Sequence, residues 1–296
     1  MRKTGLVNLN NSKSEIEKQI AHRNRKNKRF KGVIIGATIV STLPLLLILF
    51  YVFRQGISAI NWQFLTHLPK PVGEAGGGVS NALVGSILIL LVSCIIAIPV
   101  GIVIGIYLSE ETKSRLAYHC RLAVDVLQGI PSIVIGIIIY EWIVRPMGGF
   151  SAFSGSVALA LMMLPSIVKS TEETLKLLPE SLKEASLALG VPYYKTMLKI
   201  IVPTGLGGIL TGVILSISRV IGETAPLLFT AFGSPFMTTD IFKPMSSLPL
   251  IIFNYATSPY EDWHQLAWGA SMLLILMILI LNIISKIVQR KWKVQF

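Results

Sequence analysis

Long apolar runs constrain this chain more than any other feature of its sequence. A helix needs about 20 apolar residues to cross the roughly 30 Å hydrocarbon core of a bilayer, and residues 32–53 meet that requirement without a charged residue. Five further runs predict spans at 81–107, 116–140, 151–168, 206–232 and 266–287. Only 14% of the residues are charged, against about a quarter in a soluble domain. The sequence therefore predicts an all-α integral membrane protein with six transmembrane helices.

The distribution of basic residues predicts the orientation of these spans. If the N-terminus is cytoplasmic, 22 of the 27 Lys and Arg residues lie on the inner side and 4 on the outer side, while Arg219 lies within the fifth span. Positively charged loops favour the cytoplasmic side of the cell membrane, so we expect both termini to lie in the cytoplasm. The predicted organisation is a basic cytoplasmic tail at 1–31, a first span at 32–53, an outer loop at 54–80, a core of five spans at 81–287 and a cytoplasmic tail at 288–296.

Composition and residue spacing exclude several function classes. The net charge of +12 does not predict a nucleic-acid partner, because ten basic residues lie before Gly32 beside a span, where anionic membrane lipid is the expected contact. Cys94, Cys120 and the four histidines lack metal-ligand spacing, so no metal site is expected. No nucleophile–base constellation appears, which predicts no catalytic residues and disfavours a membrane enzyme. The chain also lacks a Walker A sequence, so we expect no cofactor in this chain.

A polar segment at 170–205 predicts two short helices joined by a corner on the cytoplasmic side. Pro179 suits the first position of a helix, where no amide donor is needed. Gly190 suits a left-handed residue at the helix end, and Pro192 can open the second helix. On the first helix, four residues are predicted to share one face: Leu182, Ala185, Ser186 and Leu189.

This segment resembles the EAA loop of ABC importer permeases, whose pattern is E-A-A-x3-G-x9-I-x-L-P. Every spacing matches in the run Glu184-Ala185-Ser186-x3-Gly190-x9-Ile200-x-Val202-Pro203. The resemblance implies a type I ABC importer permease fold and docking of the loop into a groove on a separate ATPase subunit, which binds ATP and Mg. It assigns ATPase coupling to Glu184, Ala185, Ser186, Leu189 and Gly190. The simpler alternative is a surface hairpin on a membrane protein.

Two charged residues, Arg219 and Glu223, fall within the predicted fifth span. An arginine at mid-depth costs at least about 2.5–3.5 kcal/mol on insertion scales, and i,i+4 spacing places both side chains on one helical face. One interpretation is an internal ion pair that neutralises itself. The other is a polar substrate pathway in which the guanidinium binds a tetrahedral oxyanion. Three hydroxyls are predicted to add donors to that pathway: Ser216, Ser218 and Thr224.

Four segments, at 76–86, 129–134, 164–173 and 219–228, resemble bacterial phosphate permeases of the PstA type. The resemblance implies transport of inorganic phosphate across the plasma membrane and assigns Arg219 to phosphate passage. It also implies a second permease subunit (PstC type), an ATPase dimer (PstB type) and an extracytoplasmic phosphate-binding protein (PstS type). The PstC type has similar motifs, so that role stays open. Further alternatives are an ABC permease for sulfate or molybdate, and an ion-coupled secondary carrier, which needs no ATPase-docking loop.

Overall fold

The computed structural model describes residues 3–71, 73–74 and 76–291 of the chain. The side chains of the predicted basic tail before His22 and those of the predicted C-terminal tail lie outside the described residues. Contacts divide the chain into two compact units, Met1–Arg54 and Gln55–Phe296.

All regular structure in the described part of the chain is helical. In chain order the helices are α1 (Lys3–Ala59), α2 (Trp62–Thr66), α3 (Ser80–Glu110), α4 (Arg115–Gly129), α5 (Ser132–Ile139), the π-helical turn Tyr140–Val144, α6 (Arg145–Met147), α7 (Ala152–Lys176), α8 (Glu180–Ala188), α9 (Tyr193–Thr196), the π-helical turn Met197–Ile201, α10 (Val202–Val220), α11 (Ala225–Leu228), α12 (Leu248–Ala256) and α13 (Glu261–Lys291).

Five of these helical stretches are long and apolar enough to cross a membrane, or six if a bent pair counts as one span. The first predicted span lies inside α1, which extends beyond it at both ends. Every side chain from His22 to Tyr51 is exposed. Apolar side chains that are exposed on every side are expected for a helix that contacts lipid along its length.

Helix α7 is the centre of the second unit, and it packs between α3 and α10. Both contacts depend on small residues. A methyl group at Gly105 of α3 would lie 2.9 Å from the carbonyl oxygen of Val168, and one at Gly212 of α10 would overlap Ser170. Helices in lipid associate through such close backbone approach, because lipid supplies little hydrophobic force between them.

The predicted third span, 116–140, is not one straight helix. Helix α4 and the Ser132–Met147 stretch meet at a bend of 106° at Ile130 and Pro131. Pro131 has no amide proton to continue the hydrogen bonds of α4, and it disfavours helical backbone at the residue before it. The predicted third span is therefore divided between two helices at Pro131, and it counts as one span only if the bent pair crosses the membrane together.

The fourth and fifth predicted spans also change. Helix α7 reaches Lys176 rather than ending near residue 168, because its last turns are held by ion pairs. The fifth predicted span, 206–232, is one continuous helix only to Val220, and the short helix α11 follows after a break at residues 221–224. The polar loop expected up to residue 205 is shorter, since α9, the π-helical turn and α10 follow one another without interruption from Tyr193.

The segment after Gly233, whose prolines predict an irregular or only briefly helical chain, folds back into the protein and contains the short, partly buried helix α12. Leu248 and Leu250 are fully buried there. Two polar contacts attach the segment to α3: Asn81 Nδ2 donates to the Ser234 carbonyl at 2.7 Å, and Ser86 Oγ accepts from the Leu248 amide at 2.8 Å.

Candidate functional site

The break after α10 lies within the apolar layer of the fold. Residues 221–224 form a turn in which the Glu223 amide donates to the Val220 carbonyl at 3.1 Å. Val220 lines a cavity of about 10 Å³ together with Ile89 of α3 and Leu159 of α7. Ile89 is nine residues into α3, which is about 14 Å along the helix. Irregular backbone at that depth is tolerated only where it is buried in protein or lines water.

Arg219 lies in the last turn of α10 rather than at the middle of a span. Its side chain is exposed, and among the described residues it makes no hydrogen bond or ion pair. A helix C-terminus carries partial negative charge, which stabilises a cation placed there. Leu215, one turn earlier and 54% exposed, and the exposed Gly222 continue the same uncovered stripe. The arginine is therefore available to a partner that this chain does not supply.

Glu223 follows the end of α10, so the prediction that it shares a helical face with Arg219 is wrong. The residue is partly buried, and no ion pair joins it to Arg219 within the part of the chain that the structure describes. The self-neutralising pair is thus not formed. Arg219 instead precedes the turn and Glu223 lies within it, as separate charged groups.

The three hydroxyls predicted beside Arg219 have different environments. Ser216 is 2% exposed, and its hydroxyl donates to the Gly212 carbonyl of its own helix at 2.8 Å, so it does not face the exposed side of α10 on which Arg219 lies. The Ser218 hydroxyl is buried and has no hydrogen-bond partner in the described chain. Only Thr224, at the start of α11, is both partly exposed and part of the broken segment.

The predicted corner between two short helices is present. Helix α8 ends next to Gly190, whose φ of +76° is the left-handed conformation that glycine adopts without a steric penalty. Pro192 precedes α9. The hydroxyls of Ser186 and Thr196 lie 2.8 Å apart and connect the two arms of the corner. We refer to residues 180–196 as the hairpin.

The predicted face of α8 divides into two. Leu182 and Ser186 point into the protein, and Ser186 is 4% exposed, so it is turned away from the exposed side of α8. Ala185 and Leu189 point outward, and Leu189 is 84% exposed. Glu184 is exposed and makes no side-chain contact in the described residues. Further large apolar residues are exposed on and beside the hairpin: Leu177, Leu187, Tyr193, Tyr194 and Leu198.

Polar contacts that the sequence did not reveal hold the base of the hairpin. Lys183 Nζ lies 2.6 Å from Glu110 Oε1 and 2.7 Å from Oε2, and the Tyr193 hydroxyl donates to the same carboxylate. Glu110 ends an apolar run and Lys183 lies in a polar one. Their positions in the sequence gave no signal that they pair.

A second group of charges joins α4 to the C-terminal end of α7. Arg121 Nε lies 2.8 Å from Glu172 Oε1, which also accepts from Lys176 Nζ at 2.6 Å. Lys169 Nζ lies 2.6 Å from Asp125 Oδ1. These pairs account for Arg121 and Asp125, two charged residues within the predicted third span. Charged residues in an apolar run indicate that each has a partner, but the sequence did not show which residues those partners are.

Comparison with known proteins assigns one family to the part of the chain that contains both the end of α10 and the hairpin. Residues 97–294 match the model for the binding-protein-dependent transport system inner membrane component. A Yersinia pestis protein named phosphate transport system permease protein PstA is 40% identical over 277 residues, covering 93% of this chain and 94% of the relative. A PstA of Pasteurella multocida is 41% identical over 267 residues, covering 90% and 95%.

Solved structures share the fold. A chain of the MetNI methionine ABC transporter in an inward-facing conformation matches with a TM-score of 0.59 and 19% identity, over 73% of this chain and 95% of that chain. An amino acid ABC transporter matches with a TM-score of 0.51 and 16% identity, over 72% and 92%. At this identity the likeness shows a common fold alone.

Proposed function

We infer how this protein works from one premise: the chain belongs to the family of binding-protein-dependent transport system inner membrane components, and it is the permease subunit of a phosphate ABC transporter. It is a multi-pass protein of the cell membrane, and its partners are those of an ABC transporter. We propose that it carries inorganic phosphate into the cytoplasm. Its six spans, with both termini cytoplasmic, would pair with a second permease subunit, an ATPase dimer and an external phosphate-binding protein.

The observation that carries the proposal is the exposed Arg219 at the broken end of α10. A guanidinium without a protein partner at membrane depth is costly unless water or an anion reaches it. Its paired donors fit the oxygens of phosphate. We therefore assign the uncovered stripe of Leu215, Arg219 and Gly222 to a pathway that the second permease subunit closes from the other side.

Glu223 and Thr224 complete this assignment. The carboxylate stands near the pathway without neutralising Arg219, so it would weaken the hold on an anion and favour release. Thr224 supplies a hydroxyl donor at the same turn. A binding site in a transporter must be favourable enough to enter and weak enough to leave, which suits one cation with a carboxylate nearby.

The hairpin is the proposed contact with the ATPase. Leu189 and its exposed apolar neighbours form a surface that water covers at a cost, and the corner at Gly190 gives this surface a fixed shape. Since this chain has no Walker A sequence, ATP and Mg would be bound by the partner. Among the predicted coupling residues, Glu184, Ala185, Leu189 and Gly190 face this contact, and Ser186 stabilises the corner from within.

The test replaces Arg219 with Gln in the assembled complex, reconstituted in vesicles with its phosphate-binding protein. Losing a charged hydrogen bond of about 1.5–3 kcal/mol predicts a fall in phosphate uptake of about 10- to 100-fold. R145Q is the matched control, because Arg145 is equally charged but lies away from the break, 72% exposed and paired with Glu141.

Three results would contradict the assignment. Uptake by R219Q equal to that of the unsubstituted complex would remove Arg219 from the pathway. Uptake of sulfate or molybdate in place of phosphate would favour a permease for another oxyanion. Uptake without ATP, driven by an ion gradient, would favour a secondary carrier.

A further inference from the structure

Glu110 makes a contact that joins three helices. It is the last residue of α3, and its carboxylate receives Lys183 from α8 and Tyr193 from α9. The two partners lie on opposite sides of the Gly190 corner, so both arms of the hairpin hold one side chain. α3 is not adjacent to the hairpin in sequence, and this contact gives it a direct attachment.

The environment of Glu110 makes this attachment stronger than a surface ion pair. The side chains of Glu110 and Lys183 are 19% and 28% exposed. Exposed pairs contribute little, since water screens them and two long side chains must be ordered. Here the lower local dielectric increases the attraction, and the carboxylate accepts donors from two directions.

The same end of α3 has a second anchor. Arg121 Nη2 donates to the Leu108 carbonyl at 2.6 Å and to the Glu111 carbonyl at 3.2 Å, while its Nε binds Glu172 of α7. A cation on the final carbonyls stabilises a helix C-terminus. The inner end of α3 is therefore a fixed point shared by the hairpin, α4 and α7.

The outer end of α3 holds a different part of the protein. Asn81 and Ser86 bind the backbone at Ser234 and Leu248, as described above. α3 has 31 residues, which is about 46 Å of helix, and it is unbroken despite Pro99. One rigid helix thus connects the hairpin on one side of the membrane to the segment 234–248 on the other.

We propose that the Glu110–Lys183–Tyr193 contact is the joint through which hairpin movement passes into α3 and along it to the outer segment 234–248. Glu110 is a positioning residue in this role, and it touches neither substrate nor ATP. The proposal rests on the proposed function, in which an ATPase moves the hairpin. It adds a third helix to the two that continue directly from the hairpin.

The test measures phosphate moved per ATP hydrolysed by the whole complex in vesicles. E110Q and K183M should each lower this ratio at least fivefold while ATP hydrolysis continues, because the hairpin moves without α3. Exchanging the charges, with E110K and K183E together, should restore at least half of the ratio. E141Q is the matched control, since it breaks the exposed pair with Arg145 and should leave the ratio unchanged.

A second readout separates transmission from simple stabilisation. In the unsubstituted complex, ATP binding should change amide hydrogen exchange in residues 234–248, and E110Q should abolish that change even at temperatures where it is fully folded. An unchanged transport ratio in E110Q would overturn the joint. So would a charge exchange that restores thermal stability but not the ratio. If the unsubstituted complex hydrolyses ATP without moving phosphate, the proposed function fails first, and that result is distinct from either of these.

Discussion

Helices α3 and α10 both pack closely on α7, yet their polar groups differ. Both use glycine to approach α7 closely. α3 is continuous, and the polar side chains near its ends, Asn81, Ser86 and Glu110, bind other segments. α10 breaks at residue 221, and Arg219 at its end has no partner in the described chain.

The difference shows how one packing mode serves two purposes. Burying a polar group is costly unless it is hydrogen-bonded. On α3 the Asn81 amide nitrogen, the Ser86 hydroxyl and the Glu110 carboxylate all bind other segments of the chain, which attaches the helix at both ends. On α10 the guanidinium of Arg219 has no partner in the described chain, so it can bind a group from outside the chain. We interpret α3 as a rigid connector and the end of α10 as the site of exchange with substrate.

The largest effect should come from breaking the packing that the two helices share. Leucine at Gly105 would collide with Thr171 and the Val168 backbone, so G105L should destabilise the protein by about 3 kcal/mol or more. We expect loss of monodisperse protein and a lower unfolding temperature. A methyl group added at Gly222 would meet no atom within 4 Å, so G222L should leave the unfolding temperature unchanged. If G105L and G222L lowered the unfolding temperature equally, the end of α10 would be packed as tightly as α3.

An intermediate effect should follow from cutting the outer attachment of α3. S86A leaves the amide of the fully buried Leu248 without an acceptor, which costs about 1–3 kcal/mol. Thermal unfolding and hydrogen exchange at Leu248 measure it. S216A is the control on α10, because that hydroxyl binds only its own helix, and we expect a change within about 0.5 kcal/mol. If S86A changed neither the unfolding temperature nor hydrogen exchange at Leu248, the interpretation of α3 as a connector would be contradicted.

The smallest effect concerns the unpaired hydroxyl on α10. The Ser218 hydroxyl is buried without a partner in the described chain, and removing such a group is nearly neutral or stabilising. S218A should therefore change the free energy of unfolding by no more than about 0.5 kcal/mol, or raise it. If S218A lowers stability in the assembled complex, the hydroxyl has a partner there, and α10 is less open than we infer.

Much of the architecture was predictable from local signals. The run 81–107 predicted α3 within three residues at either end, because one uninterrupted apolar stretch admits only a helix in lipid. The corner was predictable because Pro179 and Pro192 fix the backbone where a helix begins, whereas Gly190 permits the left-handed conformation that ends one. These features depend on residues close together in the sequence.

The rest depends on contacts between distant residues. The end of α10 was missed because residues 221–232 stay apolar enough to continue a span, and the bend at Pro131 was missed because both halves are apolar. The partners of Glu110 lie 73 and 83 residues away. The inward turn of Ser186 depends on Thr196, ten residues on. Hydropathy carries no information about such pairs.

The 106° bend between α4 and α5 also limits what can surround this part of the protein. The last four carbonyls of a helix have no partner within it, and Pro131 offers no amide proton. Hydrocarbon around these groups would cost several kcal/mol for each one left unsatisfied. Gly129 and Pro131 are exposed on this chain, so lipid tails are the one neighbour that the bend disfavours, and water or a second protein subunit is what it requires.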